Sequence, residues 1–362
     1  MWTKGQFHED IHQKTVIPGS KEEIFNPENL WKGLSNEITT EDPYFYSYSQ
    51  YGIHEEMIKD KSRTEAYMNA ITQNSHLFYN KIVLDVGCGT GILSIFASRA
   101  GAKHVYGIEA ADIAAQASEI IAENSLSEKI TILRGKVEEI ELPVEKVDII
   151  ISEWMGYFLL YECMLETIIY ARNKWLSPGG LIFPNIARMF VSGIEDADYK
   201  ERKIEYWDNV YGTDMGIIKT LVMADPIIDV VDSTAVVTTE YLLFTIDLST
   251  VSLEELDFAG SYKLTAIRTD YLHAIIAYFE VEFSYGNRKI VLSTSPARKA
   301  THWKQTVFYF EGAIPMNCGE EIEGSVAIRR NTRYKREIDV KISYHFSGLK
   351  TNFDEVRFYK IR

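Results

Sequence analysis

The sequence predicts an α/β protein: a doubly wound parallel sheet in the N-terminal half, followed by an antiparallel β-sandwich or β-barrel. Two observations lead to this fold class. Between residues 81 and 184, short apolar strands alternate with helices, which is typical of a parallel sheet covered on both faces. Beyond one helical stretch after Pro184, segments of alternating polar and apolar residues follow one another without helices, which favours antiparallel strands.

The elements of the parallel sheet follow in a regular order. Apolar strands are predicted in KIVLDVG, HVYGIE, ITILRG and VDIIISE, and helices in GILSIFASRAG and IAAQASEIIAEN. Gly101 ends the first of these helices, and LSPGG supplies the turn before the strand LIFP. We assign residues 41–184 to this first domain. Residues 1–40 have no clear period and are interpreted as a lead-in segment.

The second predicted domain covers residues 185–362. Its strands are period-two segments such as VVTTEYLLFTIDL, HAIIAYFEVEFSY, KQTVFYFE and DVKISYHF. A helical stretch rich in aromatic residues precedes them at about 196–224. A basic cluster surrounds the turn NTRYKR, and we interpret it as a solvated hairpin loop.

Composition narrows the class of protein. The 362 residues are 46% hydrophobic and 25% charged, as in an ordinary soluble globular protein. A net charge of -14 disfavours nonspecific nucleic-acid binding and favours a cationic partner. The three cysteines are far apart and predict neither a disulfide framework nor a metal site. Without a membrane-length apolar run or a signal pattern, an intracellular protein with no membrane partner is expected.

The glycine-rich loop DVGCGTG is a candidate ligand site. It follows the first strand and opens the first helix, at the edge where open α/β sheets bind ligands. Glu109 ends the second strand and is placed to accept hydrogen bonds from ribose hydroxyls. Nicotinamide cofactors and S-adenosylmethionine both carry a ribose. The spacing GxGxG, preceded by Asp85, favours S-adenosylmethionine, whose tail is an amino acid and whose reactive centre is a sulfonium.

Two further carboxylate features are candidates for ligand binding. Glu138 follows the third strand and could accept from an adenine amino group, although by itself it is more typical of a solvated acid. In SEWMGYFLLYE, Glu153 and Glu162 flank an aromatic and apolar run. Two carboxylates in an apolar frame suggest a pocket for a flat cation.

Four motifs in order carry a resemblance to a known family: YFYSY, DVGCGTG, SEWMGYFLLYE and THWKQ. From about Tyr44 to the C-terminus, the sequence resembles the protein arginine N-methyltransferases. The resemblance implies methyl transfer from S-adenosylmethionine to the guanidinium of peptidyl arginine, with S-adenosylhomocysteine as product and no metal. It also implies substrates in Arg/Gly-rich RNA-binding proteins and histone tails, without direct binding of nucleic acid.

The resemblance further implies roles for individual residues. Cofactor contacts carry over to His54, Arg63, Asp85, Gly87, Glu109 and Glu138. Tyr48, Met57 and Trp303 would form the wall of the substrate channel. Met57 together with an intact THW motif is the type I pattern, which implies monomethylarginine and then asymmetric dimethylarginine.

The chemistry explains why such an enzyme needs paired acids. An arginine side chain stays protonated at physiological pH, so its nitrogens have no ready lone pair. Glu153 and Glu162 can accept hydrogen bonds from different edges of the guanidinium and leave one nitrogen aimed at the methyl group. Either glutamate, or a relay through His302, could receive the proton. The family pairs this histidine with an aspartate, here Asp60.

The resemblance implies that the second domain is a barrel and that 196–224 is an arm through which two subunits form a homodimer. The candidates for its contact face are Tyr206, Trp207, Val210 and Tyr211. Three alternatives remain: an inactive arginine-binding scaffold, a methyltransferase of a small guanidino or amine metabolite, and a nicotinamide dehydrogenase. An arm and a second domain disfavour a small substrate, and the loop spacing disfavours a dinucleotide.

Overall fold

The computed structural model describes Tyr48, residues 50–334 and residues 336–362. The predicted lead-in, residues 1–40, and Tyr44 of the YFYSY motif lie outside the described residues. Within the described ranges, no helix has both the length and the apolar character needed to cross a membrane.

Five parallel strands form the first sheet, in the order β3-β2-β1-β4-β5. These strands are β1 (Ile82–Val86), β2 (His104–Glu109), β3 (Ile130–Arg134), β4 (Val147–Ile151) and β5 (Leu176–Phe183). The strand order reverses between β1 and β4, where a doubly wound sheet leaves a crevice. β1 is apolar because both faces of the sheet are covered: Val83 and Leu84 are fully buried.

Within the part of the chain that the structure describes, six helices accompany this sheet. They are α1 (Tyr51–Lys59), α2 (Lys61–Thr72), α3 (Ser75–Phe78), α4 (Ile92–Arg99), α5 (Ala114–Glu123) and α6 (Leu165–Trp175). Asp60 separates α1 from α2 and caps α2, because its side chain accepts a hydrogen bond from the backbone N–H of Arg63 at 3.1 Å. The two N-terminal helices therefore meet at a residue whose carboxylate is fixed.

The remaining strands form two antiparallel sheets. One has the order β7-β12-β10-β6-β8, with β11 paired to β10, and the other has the order β15-β14-β13-β9. The strands are β6 (Ile186–Ile194), β7 (Ile227–Asp229), β8 (Tyr241–Asp247), β9 (Phe258–Thr265), β10 (Asp270–Phe283), β11 (Ile290–Ser293), β12 (Gln305–Met316), β13 (Glu321–Arg330), β14 (Ile338–Ser347) and β15 (Asn352–Ile361). The predicted fold class is confirmed.

One hydrophobic core joins the parallel sheet to the antiparallel sheets. Phe183 at the end of β5 and Phe283 at the end of β10 are both fully buried, and their ring centroids are 6.2 Å apart. Tyr67 of α2 also packs edge-on against Phe283, at 4.9 Å. Side chains from both halves of the chain can therefore be held in fixed positions at one site.

The predicted arm contains two helices, α7 (Ala197–Lys203) and α8 (Ile217–Ala224), with a short 3-10 turn at Glu205–Asp208. Of its predicted contact face, Tyr206 and Tyr211 are exposed, whereas Val210 is only 9% exposed and packs within the chain. Helix α8 presents Ile217 and Leu221 to solvent, at 58% and 55% exposure. These residues are one helical turn apart, so they share a face that the sequence analysis did not identify.

Candidate active site

A pocket lies at the C-terminal edge of the parallel sheet, where the loops after β1 to β4 meet helix α1 and the start of α2. Most of the predicted site residues line it: Tyr48, His54, Met57, Arg63, Gly87, Glu109, Glu138, Glu153 and Glu162. A second pocket shares Tyr48, Met57, Met155 and both glutamates with the first, and adds His302 and Trp303. The two pockets are thus continuous around Glu153 and Glu162.

The glycine-rich loop forms part of the first pocket and has a backbone that only glycine adopts easily. Gly87, Gly89 and Gly91 have φ angles of 68°, 54° and 83°. A Cβ atom at Gly87 would lie 2.6 Å from the Met164 side chain, and one at Gly89 would lie 3.2 Å from the His54 ring. Glycine is therefore required at Gly87 by both the backbone angle and the close packing of Met164, and the side chain of His54 packs closely against Gly89.

Glu109 is held at the edge of this loop by backbone hydrogen bonds. One carboxylate oxygen accepts from the N–H of Gly89 at 2.9 Å, and the other accepts from the N–H of Ala111 at 2.8 Å. Each oxygen keeps a second lone pair. Glu109 therefore presents a fixed acceptor to the pocket, as the sequence analysis expects for a ribose contact.

Asp85 does not line the pocket. It is fully buried beneath the loop, where Ser94 of α4 donates a hydrogen bond to it at 2.7 Å. Its other carboxylate oxygen has no hydrogen-bond partner. Burial raises the pKa of Asp85 to about 7, although the Ser94 hydrogen bond opposes this shift. The sequence analysis expected Asp85 to contact a cofactor directly. The structure instead places Asp85 behind the glycine-rich loop, which it supports.

The carboxylate of Glu153 forms a buried ion pair with Arg63. The Nε and a terminal nitrogen of Arg63 both lie 3.0 Å from Oε2 of Glu153. The two side chains are only 8% and 7% exposed. Oε1 of Glu153 is also buried and has no hydrogen-bond partner. An unpaired buried carboxylate oxygen is unfavourable, so this atom is suited to a cationic donor in the pocket.

The loop that carries both glutamates is a tight turn with unusual backbone angles. Phe158, Leu159 and Glu162 have left-handed φ angles of 52°, 63° and 54°, which are strained for residues with side chains. A Cβ atom at Gly156 would lie 1.6 Å from the carbonyl oxygen of Tyr161. The turn returns the chain to the pocket, so Glu162 lies beside Glu153 despite the intervening residues.

His302 and Asp60 meet at the second pocket. The imidazole Nδ1 lies 2.8 Å from Oδ2 of Asp60, and the backbone N–H of His302 donates to the same oxygen at 2.9 Å. Burial alone raises the pKa of Asp60, but the hydrogen bonds from His302 and Arg63 outweigh it, so the pKa lies below the ordinary value. Asp60 therefore stays ionised and orients His302.

The remaining predicted residues have defined partners. The ring nitrogen Nε2 of His54 lies 2.8 Å from the carbonyl oxygen of Tyr48. Trp303 is buried, and its indole N–H donates to the carbonyl of Met155 at 3.3 Å. Glu138 accepts a hydrogen bond from the Thr167 hydroxyl at 3.1 Å. His54 and Trp303 are buried, whereas Glu138 is exposed to solvent where it lines the pocket.

The basic cluster was predicted to be a solvated hairpin loop, and the structure corrects this interpretation. It does connect β13 to β14, but Arg329 pairs with Asp339 at 3.1 Å. Arg330 pairs with Glu166 of α6 and with Asp257. Lys335 lies outside the described residues. The hairpin is therefore docked on the first domain.

Several lining residues were not identified from the sequence: Glu56, Met155, Met164 and Arg336. No local pattern marks them, because they reach the site only through tertiary contacts. Among the residues that the structure describes, no group of three or more His, Cys, Asp or Glu side chains is placed to hold a metal ion.

The first domain is a doubly wound sheet with a glycine-rich loop and acidic side chains at its C-terminal edge, and it is joined to an antiparallel β domain. This combination defines a Rossmann-like ligand-binding protein with an accessory domain. Protein arginine N-methyltransferases from other organisms are 50% identical to this chain over 90% or more of its length, so the chain belongs to the protein arginine N-methyltransferase family.

Two family models match consecutive parts of the chain. The arginine methyltransferase oligomerization subdomain matches residues 185–349, and the ribosomal protein L11 methyltransferase (PrmA) model matches residues 62–178. Protein arginine N-methyltransferase 1 of Chlamydomonas reinhardtii is 50% identical over 324 residues, which are 90% of this chain and 94% of the relative. The enzyme of the same name from Schizosaccharomyces pombe is 50% identical over 91% of this chain and 97% of the relative.

Solved structures agree with this assignment. The Trypanosoma brucei PRMT1 enzyme-prozyme heterotetrameric complex with AdoHcy superimposes with a TM-score of 0.86 and 42% identity, over 87% of this chain and 100% of that chain. Arabidopsis thaliana protein arginine methyltransferase 10 has a TM-score of 0.79 and 31% identity, over 88% of this chain and 100% of its own. The predicted family is confirmed.

Proposed function

We propose that the protein transfers methyl groups from S-adenosylmethionine to the guanidinium of peptidyl arginine, as a type I enzyme that makes monomethylarginine and then asymmetric dimethylarginine. One observation carries this proposal: Oε1 of Glu153 is buried and unpartnered where the two pockets meet. The AdoHcy complex of the Trypanosoma brucei relative supports the choice of cofactor.

The first pocket fits S-adenosylmethionine. The glycine-rich loop lines this pocket and has no side chains at Gly87 and Gly89, so its peptide groups would face the cofactor. Glu109 would accept from the ribose hydroxyls, Glu138 from the adenine amino group, and His54 and Arg63 would hold the amino-acid end. Gly87 would lie against the cofactor, and Asp85 would support it from below. When bound, S-adenosylmethionine supplies an electrophilic methyl group on a sulfonium.

The second pocket fits an arginine side chain. Glu153 and Glu162 would accept hydrogen bonds from different edges of the guanidinium, which turns one nitrogen toward the first pocket. Tyr48, Met57 and Trp303 would form the channel wall and exclude water. The proton released from the attacked nitrogen would pass to a glutamate or to His302, which Asp60 holds in orientation. Met57 lines both pockets, so its size would bear on which nitrogen accepts the second methyl group.

The substrates proposed are Arg/Gly-rich segments of RNA-binding proteins and histone tails, since a net charge of -14 favours cationic partners. The working form proposed is a homodimer formed through the arm at 196–224, and the proposed location is the cytoplasm and nucleus. Two observations support the dimer: the exposed apolar face of α8 and the match to an oligomerization subdomain.

Labelled S-adenosylmethionine and an Arg/Gly-rich peptide test this function. After hydrolysis of the peptide, monomethylarginine is expected first and asymmetric dimethylarginine later, with no label in a peptide whose arginines are lysines. Glu153→Gln and Glu162→Gln should abolish most turnover, while the surface variant Glu145→Gln should retain it.

Three results would contradict the proposal. Absence of label despite cofactor binding would indicate an arginine-binding scaffold. Symmetric dimethylarginine as the main product would exclude a type I enzyme. Faster labelling of free arginine than of the peptide would indicate a small-metabolite methyltransferase.

A further inference from the structure

The two glutamates of the pocket are approached by arginines from different domains. Glu153 is paired with Arg63, which comes from α2. Glu162 shares the lining of the first pocket with Arg336, which comes from the hairpin between β13 and β14. The second domain thus places a cation beside the second glutamate.

A backbone hydrogen bond fixes this approach. The N–H of Glu162 donates to the carbonyl oxygen of Arg336 at 3.0 Å. At the start of the same hairpin, Arg330 pairs with Glu166 of α6. The hairpin is therefore attached to the first domain near both of its ends, through Glu162 and Glu166.

The hairpin also has a well-defined internal conformation. The side-chain oxygen of Asn331 accepts hydrogen bonds from the backbone N–H groups of Arg333 and Tyr334, at 2.9 and 3.0 Å. The backbone N–H of Asn331 donates to the carbonyl of Glu337 at 2.9 Å. Tyr334 is only 8% exposed. These contacts determine where the Arg336 side chain begins.

We propose that Arg336 is a positioning residue that keeps the carboxylate of Glu162 in the ionised form that binds the substrate guanidinium. This inference rests on the proposed function, because it concerns the same pair of glutamates. It assigns the hairpin of the second domain a part in the methylation reaction, through the charge of one side chain.

Electrostatics supports this role. Burial raises the pKa of Glu162, whereas the Arg336 charge, followed by a hydrogen bond with Tyr161, lowers it. Other titratable or charged groups also surround this part of the pocket. The helices α1 and α2 contribute Glu56 and Arg63, and Glu153 follows β4. The remaining groups come from the glutamate loop, the THW loop and the hairpin: Tyr157, Tyr161, His302 and Glu337. Of the two influences that lower the pKa of Glu162, the Arg336 charge is the larger.

The pH profile of kcat/KM tests the proposal, because its acidic limb reports the free enzyme's essential base. We compare wild type with Arg336→Met, which removes the charge, and Arg336→Lys, which keeps it. The limb of Arg336→Met should move upward by about one pH unit, the scale expected for loss of a nearby opposite charge. Arg336→Lys should follow wild type. Both variants keep the backbone carbonyl that binds Glu162.

Further measurements separate charge from folding. Thermal unfolding and the Kd for S-adenosylhomocysteine should be unchanged in both variants, and Arg336→Gln provides a second neutral variant that retains hydrogen-bond donors. With S-adenosylhomocysteine bound, peptide affinity measured by fluorescence anisotropy should weaken in the neutral variants at low pH and recover at high pH. In a Glu162→Gln background, removal of the Arg336 charge should cause no further change in the pH dependence of peptide affinity.

Two results would overturn the inference. A uniform fall in kcat/KM at every pH, with an unshifted limb, would mean that Arg336 only stabilises the hairpin. An equal loss in Arg336→Lys would mean that its charge is irrelevant. Either result, obtained with an active wild type, leaves the proposed function intact. An inactive wild type would instead contradict the proposed function and this inference together.

Discussion

Asp60 accepts two hydrogen bonds from His302, although 242 residues separate them in the sequence. The imidazole and the backbone N–H of His302 both reach Oδ2, while Oδ1 accepts from the N–H of Arg63. One carboxylate thus joins the start of α2, which carries Arg63, to the loop before β12, which carries the THW motif. The first pocket, lined by Arg63, and the second pocket, lined by His302, are held together at this residue.

Replacement of Asp60 by asparagine should reduce methyl transfer. The amide would place an N–H group against either His302 or Arg63, so one donor would face another donor. A hydrogen bond to a charged group contributes about 1.5–3 kcal/mol. If the transition state loses this stabilisation, kcat falls by about ten- to hundredfold. Single-turnover transfer of labelled methyl to the peptide measures this fall.

The partner variant His302→Asn tests whether the two residues act together. If they do, the double variant should lose little more activity than either single variant. Losses that multiply would show that Asp60 and His302 contribute independently.

The two glutamates should differ in their effect on stability. Glu153→Gln leaves Arg63 buried beside a neutral partner, so we expect the free energy of unfolding to fall by about 1–3 kcal/mol. Glu162→Gln removes a carboxylate whose ionisation is already opposed by burial, so its effect on stability should be smaller. Urea unfolding in the absence of cofactor compares the two variants, and equal destabilisation would contradict the ion pair described for Glu153.

The stability of the protein should carry a pH signature from Asp85. Its pKa is about 7 in the folded protein, against an ordinary value of 3.8. At a pH between 3.8 and about 7, Asp85 is protonated in the folded state but has lost its proton in the unfolded chain. The contribution of Asp85 to stability is therefore fully present below the unfolded pKa and is lost as the pH rises toward 7, by up to about 1.4 kcal/mol per pH unit.

Urea unfolding at pH 5, 6 and 7 measures this signature. Asp85→Asn should gain stability relative to wild type as the pH rises across that range. Asp208→Asn is the matched control, because the hydrogen bond from Lys219 holds the folded pKa of Asp208 below 3.8 and Lys219 stays charged across this range. The stability that Asp208 contributes is present above its unfolded pKa and is lost only as the pH falls through its folded pKa. Its difference from wild type should therefore be constant from pH 5 to 7, and a flat Asp85→Asn difference would contradict the buried acid.

The exposed face of α8 should control assembly. Ile217→Asp and Leu221→Asp each place a charge on an apolar surface, so the proposed dimer should dissociate and peptide methylation should fall. Leu349→Asp is the control, since Leu349 is 91% exposed and lies in the loop between β14 and β15. Sedimentation velocity measures the assembly state. A monomeric wild type with full activity would remove the arm from the mechanism.

Local patterns were sufficient for much of the fold and the site. The strand in KIVLDVG was predicted because a short apolar run is a local feature of the sequence. The loop in DVGCGTG was predicted because glycine adopts left-handed backbone angles wherever it occurs. SEWMGYFLLYE indicated a cation pocket because two acids in an apolar frame need a positive partner. The second domain was also predicted, since its strands have a clear period of two.

Other features depended on contacts that no short segment contains. Asp85 lies behind the loop rather than in the pocket, because Ser94 and the close packing of α4 hold it there. The hairpin that carries Arg336 was interpreted as solvated, since a cluster of charges has no local signal for docking. Its partners, Glu166 and Glu162, are far away in the sequence.

The sequence by itself determined the doubly wound sheet, the glycine-rich loop and the pair of glutamates, because each depends on residue types within one or two elements. The tertiary structure alone decided which arginine approaches each glutamate and which faces of the arm stay exposed. The physical reason is that charge and burial depend on neighbours brought together by packing, and packing joins residues that the chain keeps apart.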